Sequence, residues 1–170
     1  MRLSELQSTL LGKTLDDVLL RGFVEQEGVS AKFHAVRTSV FFEFGGVFLQ
    51  FEVIEDGGEM RLVFPDEIPA SPELDADMLP AVTSIGEQIL LDDVNPSQVV
   101  CLRLWHVVEA AEELRCWAAQ VELANGQEVF VDPSHHFGIK IGGRGQREAW
   151  RENWPGAQQE QEQILRLAKP

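Results

Sequence analysis

The sequence has little of what most often reveals a function. It contains two cysteines, Cys101 and Cys116, which form no paired-cysteine metal or redox motif. It has no tyrosine and no serine in a nucleophile-elbow pattern. No apolar run approaches the roughly 20 residues that span a membrane, and the first residues lack the features of a signal peptide. We therefore predict buried free thiols, no membrane span and a cytoplasmic protein.

Cationic residues are also scarce, and they are scarcest in one segment. Between Glu52 and Leu102 the chain has twelve carboxylates and one cationic residue, Arg61, so this segment carries most of the formal charge of −14. Nucleic acids and anionic lipids would repel such a protein, so its expected partners are cationic. The sequence therefore predicts an anionic surface that faces a basic protein.

What the chain does have is enough apolar material for a core. Its 170 residues are 44% hydrophobic and include ten Phe and four Trp, which suits one domain over residues 1–170. No linker rich in glycine, serine or proline divides it. The four tryptophans are interpreted as core or helix-packing residues rather than ligand platforms.

Alternating apolar residues predict a mainly antiparallel sheet. Strands over 32–44, 47–54 and 60–64 form a meander around Gly45-Gly46, and Asn125-Gly126 predicts a second hairpin. Further strands are expected over 85–94, 98–108 and 137–141. The stretch 14–20 fits either a strand or a helical turn, and the Ala- and Glu-rich stretch 109–114 suits a helical turn. Helices are predicted over 4–11, 146–154 and 158–168, and a proline-rich acidic loop over 65–80. The fold class is α+β, with N- and C-terminal helices and a C-terminal helical segment over about 146–168.

The run Asp132-Pro133-Ser134-His135-His136 is the first of three places where chemistry is conceivable. One carboxylate and two imidazoles are metal-ligand types, but the spacing matches no standard zinc motif. Adjacent histidines on an extended chain also point to opposite faces. A structural turn is the preferred interpretation, so no metal or cofactor is expected.

The second place is Gly142-Gly143-Arg144-Gly145, between a predicted strand and a helix. Arg144 and Arg147 with free backbone N–H groups would suit a weak anion site. The sequence fits neither the dinucleotide fingerprint nor the P-loop, so a turn whose arginines pair with the protein's own acids is preferred.

The third place is a cysteine nucleophile, with Cys101 near His106 in sequence. Cys101 lies within Val99-Val100-Cys101-Leu102, where a small apolar thiol in the core explains it. Paired acids such as Asp16-Asp17 are interpreted as solvated. No catalytic residues are therefore predicted, and the protein is expected not to be an enzyme.

Four features bear on the class of protein: the size, the charge, the absence of catalytic motifs, and the opening Leu11-Gly12-Lys13-Thr14-Leu15-Asp16-Asp17-Val18 followed by strand-turn-strand segments. In these features the chain resembles the small acidic immunity proteins that bacteria keep against polymorphic toxins. The resemblance implies a stoichiometric inhibitor that binds and neutralises a basic effector, such as a toxin or nuclease. The acids expected to bind this partner lie in turns and in the proline-rich loop: Asp56, Glu59, Asp66, Glu67, Glu73, Asp75 and Asp77.

Three alternatives stay open at this point. In the first the acids serve solubility alone, and in the second the protein is a regulator that mimics nucleic acid and blocks several DNA-binding proteins. A small metal-dependent enzyme that uses the loop of His135 and His136 is the third.

Overall fold

The computed structural model describes residues 1–54, 58–69, 78–110, 113–134, 137–154 and 161–168. Within these ranges the chain is an α+β domain made mostly of antiparallel strands, with a helix near each end. The predicted fold class is therefore confirmed. None of the described helices is long and apolar enough to cross a membrane.

The elements follow one another in two groups. The N-terminal half contains α1 (Leu3–Leu10), β1 (Thr14–Leu15), β2 (Asp17–Glu27), β3 (Ser30–Ala35), β4 (Ser39–Phe44), β5 (Val47–Val53), β6 (Met60–Val63), β7 (Met78–Ser84) and α2 (Gly86–Ile89). The C-terminal half contains β8 (Ser97–Trp105), β9 (Val108–Glu109), β10 (Leu114–Cys116), β11 (Ala118–Leu123), β12 (Glu128–Asp132), β13 (Lys140–Gly142), α3 (Arg144–Asn153) and β14 (Glu162–Arg166).

The strands form two sheets. The smaller sheet has six strands in the order β1-β8-β11-β12-β13, with β14 paired to β8 beside β1. The larger sheet has eight strands in the order β3-β2-β4-β5-β6-β10-β9, with β7 paired to β2. Every pairing is antiparallel.

Both predicted hairpins are present, because their turns have glycine where positive φ is needed. Gly45 and Gly46 have φ of 52° and 78° between β4 and β5, and Gly126 has φ of 86° between β11 and β12. Two successive positive φ values suit the right-handed twist of the flanking strands. The meander β4-β5-β6 is therefore confirmed as the centre of the larger sheet.

One hydrophobic core joins the two sheets. Phe42, Phe44 and Phe51 of the larger sheet belong to the same buried cluster as Leu102 and Val121 of the smaller sheet. Leu6 and Leu10 of α1 are also in this cluster. Complete burial of one such side chain contributes roughly 1.5–3 kcal/mol, so this shared core is the main source of stability.

The tryptophans gather on the outer face of the smaller sheet, under α3. Trp105 and Trp150 are buried with ring centroids 5.8 Å apart, and Phe130 lies 5.6 Å from Trp150. Trp117 and Trp154 extend this cluster at 5.7 Å from each other. The interpretation of the tryptophans as helix-packing residues is confirmed.

The predicted final helix over 158–168 is wrong where the chain is described, because Glu162–Arg166 is strand β14. Leu165 and Leu167 are buried while Ile164 and Arg166 are exposed, which is the alternation of a strand. Strand β8 binds this segment along the edge that β1 leaves open. Only α3 remains of the predicted C-terminal helices.

Other differences are local. The predicted strand over 85–94 is wrong, because Gly86–Ile89 is a helical turn and 91–94 forms no strand. The run over 32–44 is interrupted at residues 36–38, which separate β3 from β4. The ambiguous stretch 14–20 contains strand residues, and 109–114, where a helical turn was predicted, has strand residues at Glu109 and Leu114 and no helix where it is described. The predicted loop over 65–80 is irregular over 65–69, ends in β7, and otherwise lies outside the described residues.

Candidate protein-binding surface

Many carboxylates of the acidic protein are already neutralised by its own arginines. On the outer face of β5, β6 and β10, Glu52 accepts a hydrogen bond from Arg61 at 2.5 Å, and Arg61 also lies 3.5 Å from Glu113. Arg115 donates to Glu113 at 2.5 Å and lies 3.8 Å from Glu59. We call these five residues the paired ladder. It places the predicted partner-binding residue Glu59 beside an internal cation.

The paired ladder changes the proton affinity of its members. The hydrogen bond to Glu52 raises the pKa of Arg61 above its ordinary value. The hydrogen bond from Arg115 lowers the pKa of Glu113. Both shifts favour the charged forms of Arg61 and Glu113, which are the forms that pair.

A second ion-pair network lies on the smaller sheet. Arg103 of β8 donates to Glu122 of β11 on one side and to Glu162 of β14 on the other, the second at 2.9 Å. These hydrogen bonds raise the pKa of Arg103. One arginine therefore joins three neighbouring strands and offsets two carboxylates.

The acids after β6 differ, because they have no such partner. Asp66 and Glu67 are exposed, and neither makes an ion pair or side-chain hydrogen bond with any residue in the part of the chain that the structure describes. The same holds for Glu87 of α2 and for Asp93. We call these four residues the free acids. Their charges are available to a partner.

The other predicted acids cannot be compared in the same way. Asp56, Glu73, Asp75 and Asp77 lie outside the described residues. Partner binding by these four, and by Glu59, Asp66 and Glu67, stays a prediction.

A carboxylate cluster that the sequence did not reveal lies near α2. Strands β2 and β4 pair Asp17 with Glu43, and Asp16 donates its backbone N–H to the Glu43 carbonyl at 2.8 Å. Burial raises the pKa of Glu43, and repulsion from Asp16 and Asp17 raises it further. Asp16-Asp17 therefore does not act as a simple solvated pair.

The carboxylate cluster is continuous with the acidic segment through α2. Asp17 accepts hydrogen bonds from Ser84 Oγ at 2.8 Å and from its neighbour Val18 N–H at 2.7 Å. A Cβ atom on Gly86 would lie 2.3 Å from Asp17 Oδ1, so only glycine lets the start of α2 approach this carboxylate. No sequence signal short of the β2–β4 register could have found this arrangement.

The remaining sequence candidates are mostly used for local structure. Asp132 is buried and accepts hydrogen bonds from Ser134 N–H at 2.9 Å and from Gln146 Nε2 at 2.7 Å, so it joins the turn to α3. His135 and His136 lie outside the described residues. Among the described residues no group of three or more His, Cys, Asp or Glu side chains could hold a metal ion.

The predicted weak anion site at α3 contains arginines that face an acid of the protein itself. Arg144 and Arg147 lie 3.7 Å and 3.4 Å from Glu128, and Arg147 also donates to Gln120 at 2.9 Å. This is the arrangement that the sequence analysis preferred. Anion binding by these two arginines stays a prediction.

Both cysteines are free and buried, as predicted. Burial raises the pKa of Cys101 and, more strongly, that of Cys116. His106 stacks on Trp117 with ring centroids 4.0 Å apart, and within the described ranges no hydrogen bond joins it to Cys101. A protonated thiol without a base is a poor nucleophile.

Comparison with known proteins adds no relative. No protein-family model, no curated protein and no solved structure matches this chain. The free acids and the carboxylate cluster are therefore interpreted from their own chemistry.

Proposed function

We propose that this protein is a non-catalytic binding domain, an immunity-type inhibitor that uses its free acids to bind and neutralise a basic effector protein. The observation that carries the proposal is the division of charge on its surface. Arg61, Arg103, Arg115, Arg144 and Arg147 each lie beside a glutamate of the protein itself. Asp66, Glu67, Glu87 and Asp93 have no such partner in the described part of the chain.

Electrostatics explains why such a division favours binding. Charges that are already paired contribute little to a new interface, because a partner would have to break existing ion pairs. Unpaired exposed carboxylates attract a basic protein at long range and orient it before contact. A toxin that acts on nucleic acid needs a cationic cleft, which makes it a suitable target.

The carboxylate cluster supports the same proposal. Asp16, Asp17 and Glu43 repel each other, and this repulsion contributes to the raised pKa of Glu43. A lysine or arginine of a partner would reduce the repulsion. Ser84 and Gly86 contact Asp17 and so place Glu87, one of the free acids, close to this cluster in the chain.

A regulator that mimics nucleic acid is the second candidate. The observation in its favour is that unpaired carboxylates lie on several elements, on β2, β4, α2 and the segment after β6, rather than in one loop. Such a protein would bind several unrelated DNA-binding proteins, whereas an inhibitor of one effector would bind one. The two proposals therefore differ in the number of partners.

The test is an affinity capture from lysate of the native host at low salt, followed by washes of rising salt. The variant Asp66→Asn/Glu67→Gln removes two free acids. The matched control Glu52→Gln/Glu113→Gln removes the same charge from the paired ladder. We expect wild type and the control to retain one basic protein, and the first variant to release it at lower salt.

Three results would count against the proposed inhibitor. Equal loss of binding in both variants would show that net charge alone attracts the protein. Retention of several unrelated DNA-binding proteins would favour the nucleic-acid mimic. If wild type retains nothing, the acids serve solubility alone. Thermal melting of both variants confirms that each is folded before binding is compared.

A further inference from the structure

A cleft with aliphatic walls lies beside the edge strand β13. Its volume is about 340 Å³, and five of its lining residues are aliphatic: Leu20, Ile85, Ile89, Ile139 and Ile141. The other lining residues are Arg37, Gln88 and Lys140, so none of the acids that the structure describes lines it. Small-molecule sites have volumes of roughly 300–1,000 Å³ and combine apolar walls with a few polar groups. In a protein with a charge of −14, a cleft lined by cationic residues and by none of the described acids is unusual.

Arg37 is held at the rim of this cleft by its backbone. Ile139 donates its N–H to the Arg37 carbonyl at 2.7 Å. A Cβ atom on Gly138 would lie 2.4 Å from the same carbonyl oxygen, and Gly138 has φ of 98°, so glycine is needed for this close approach. The guanidinium of Arg37 is exposed and has no ion pair with a carboxylate in the described ranges. A fixed backbone therefore carries an unpaired cation.

The edge of β13 supplies a second donor. Strands β12 and β13 pair Asp132 with Lys140 and Val131 with Ile141. Hydrogen-bonded and non-hydrogen-bonded pairs alternate along an antiparallel ladder. If Val131 and Ile141 were the hydrogen-bonded pair, the next hydrogen bond along the ladder would need an N–H on Pro133, which proline lacks. Asp132 and Lys140 are therefore the hydrogen-bonded pair, and Val131 and Ile141 have no mutual hydrogen bonds. The N–H of Ile141 therefore points away from β12, toward the open edge, as the N–H of Ile139 does.

Lys140 does not supply the charge in this cleft. Alternation along β13 places its side chain opposite those of Ile139 and Ile141, on the face of α3. There it lines a separate cavity with Asp132, Gln146 and Trp150. Arg37 is therefore the cation, and the Ile141 N–H is the neutral donor, that a ligand in the aliphatic cleft would meet.

We propose that this cleft binds an aliphatic carboxylate, whose hydrocarbon part contacts the isoleucines and whose carboxylate faces Arg37 and the Ile141 N–H. A guanidinium and a backbone N–H are both good donors to a carboxylate. The proposal is independent of the acidic surface and of the proposed inhibitor function. The ligand has two possible sources, a free fatty acid or the carboxyl end of a peptide with an aliphatic last residue.

The test uses amide spectra of the ¹⁵N-labelled protein, because they report on Ile141 directly. The probes are octanoate and N-acetyl-leucine, one for each source, with octanol and N-acetyl-leucine amide as uncharged partners. We expect at least one carboxylate to shift the Ile141 and Ile139 amide signals and to bind roughly tenfold more tightly than its uncharged partner. The probe that binds identifies the source.

Variants separate recognition of the charge from filling of the cleft. Arg37→Gln should remove the preference for the carboxylate, whereas Arg144→Gln, at an exposed arginine of α3, should keep it. Gln88→Trp places a large side chain at the cleft without removing a core residue, and should weaken all probes. Dispersed spectra show that each variant is folded.

Two results would overturn the proposal. One is the absence of any shift at Ile141 and Ile139 with either carboxylate at millimolar concentration. The other is equal affinity for charged and uncharged probes in both wild type and Arg37→Gln.

Discussion

The paired ladder and the free acids both contain carboxylates, but the carboxylates of the paired ladder are bound to arginines and those of the free acids are available to a partner. In the paired ladder, Glu52 and Glu113 lie within hydrogen-bonding distance of arginines on neighbouring strands. Asp66 and Glu67 come a few residues after Arg61 in sequence, yet they have no partner in the described part of the chain. The net charge therefore reports the excess of carboxylates, whereas the strand register decides which of them are paired with arginines and which are available to a partner.

The carboxylate cluster is an intermediate case. Asp16, Asp17 and Glu43 pair with no arginine of the described residues and are not fully exposed. Their repulsion is tolerated because Ser84 Oγ and the Val18 backbone N–H donate to Asp17. The four predictions below change members of these groups, residues packed on them, or the ion-pair network of Arg103, in order of expected effect on the free energy of unfolding.

The largest effect is expected from Gly86→Ala. Its Cβ atom would lie 2.3 Å from Asp17 Oδ1, so either α2 or the Asp17 carboxylate, which accepts hydrogen bonds from Ser84 and Val18, must shift. Overpacking of this kind costs about 1–3 kcal/mol in the free energy of unfolding. Urea denaturation followed by tryptophan fluorescence measures the change.

Gly145→Ala is the matched control for this change. Gly145 lies in α3 with nothing within 4 Å of an added Cβ atom, so alanine there should be neutral or stabilise by up to about 1 kcal/mol. Equal destabilisation by both substitutions would contradict the close packing of α2 on Asp17.

The next effect is expected from Arg103→Met, which breaks the ion-pair network on the smaller sheet. Glu122 and Glu162 would lose their shared cation while both remain partly buried. We expect a loss of about 1–2 kcal/mol, measured by urea denaturation at low salt. Arg144→Met is the control, because Arg144 is 71% exposed and 3.7 Å from Glu128, and it should change stability by less than about 0.5 kcal/mol.

A smaller effect with a defined pH dependence is expected from Glu43→Gln. Burial and the neighbouring aspartates raise the pKa of Glu43 above its ordinary value of 4.5 in the folded protein. The folded state therefore binds this proton more tightly than the unfolded chain, so stability falls as pH rises through that window. Glutamine should stabilise by roughly 0.5 kcal/mol at neutral pH, and the gain should vanish below the ordinary pKa.

Thermal melts of the wild type and of Glu43→Gln between acid and neutral pH measure this difference. Glu148→Gln removes the same charge from an exposed position of α3 and should show a weaker pH dependence. A gain for Glu43→Gln that persists in acid would show that repulsion in the carboxylate cluster is not its cause.

The smallest effect on stability is expected from Asp66→Asn/Glu67→Gln. These side chains contact no partner in the described ranges, so unfolding should change by less than about 0.5 kcal/mol. Glu52→Gln/Glu113→Gln removes two ion-paired acids and should destabilise the protein more than the first variant does. Chemical denaturation of the two variants side by side measures both changes. A larger loss of stability in Asp66→Asn/Glu67→Gln than in Glu52→Gln/Glu113→Gln would contradict the contrast between the free acids and the paired ladder.

The hairpins were predictable because their signals are local. Gly45-Gly46 and Gly126 supply positive φ within two residues of the strands that they join. The strand β14 was not predictable in this way, because Ile164, Leu165 and Leu167 satisfy a short helix as well as a strand. Pairing with β8, about 60 residues earlier, decided between them.

The candidate site shows the same limit. Asp66 and Glu67 were predicted to bind a partner because they lie in the proline-rich loop, and this stays a prediction, whereas Asp16-Asp17 was interpreted as solvated. The sequence could not place Glu43 beside Asp16 and Asp17, since the β2–β4 register is a property of two strands and not of either one. The aliphatic cleft was missed for the same reason, as its walls come from β2, α2 and β13.

Composition and residues close in the chain were enough to predict the α+β class, the antiparallel hairpins, the buried thiols and the excess of negative charge. Tertiary contacts were needed to establish which acids are paired, where the carboxylate cluster forms and which strand covers the edge of β8. Those features depend on contacts between distant residues, and alternation of apolar side chains fixes the face of a strand without fixing its neighbour.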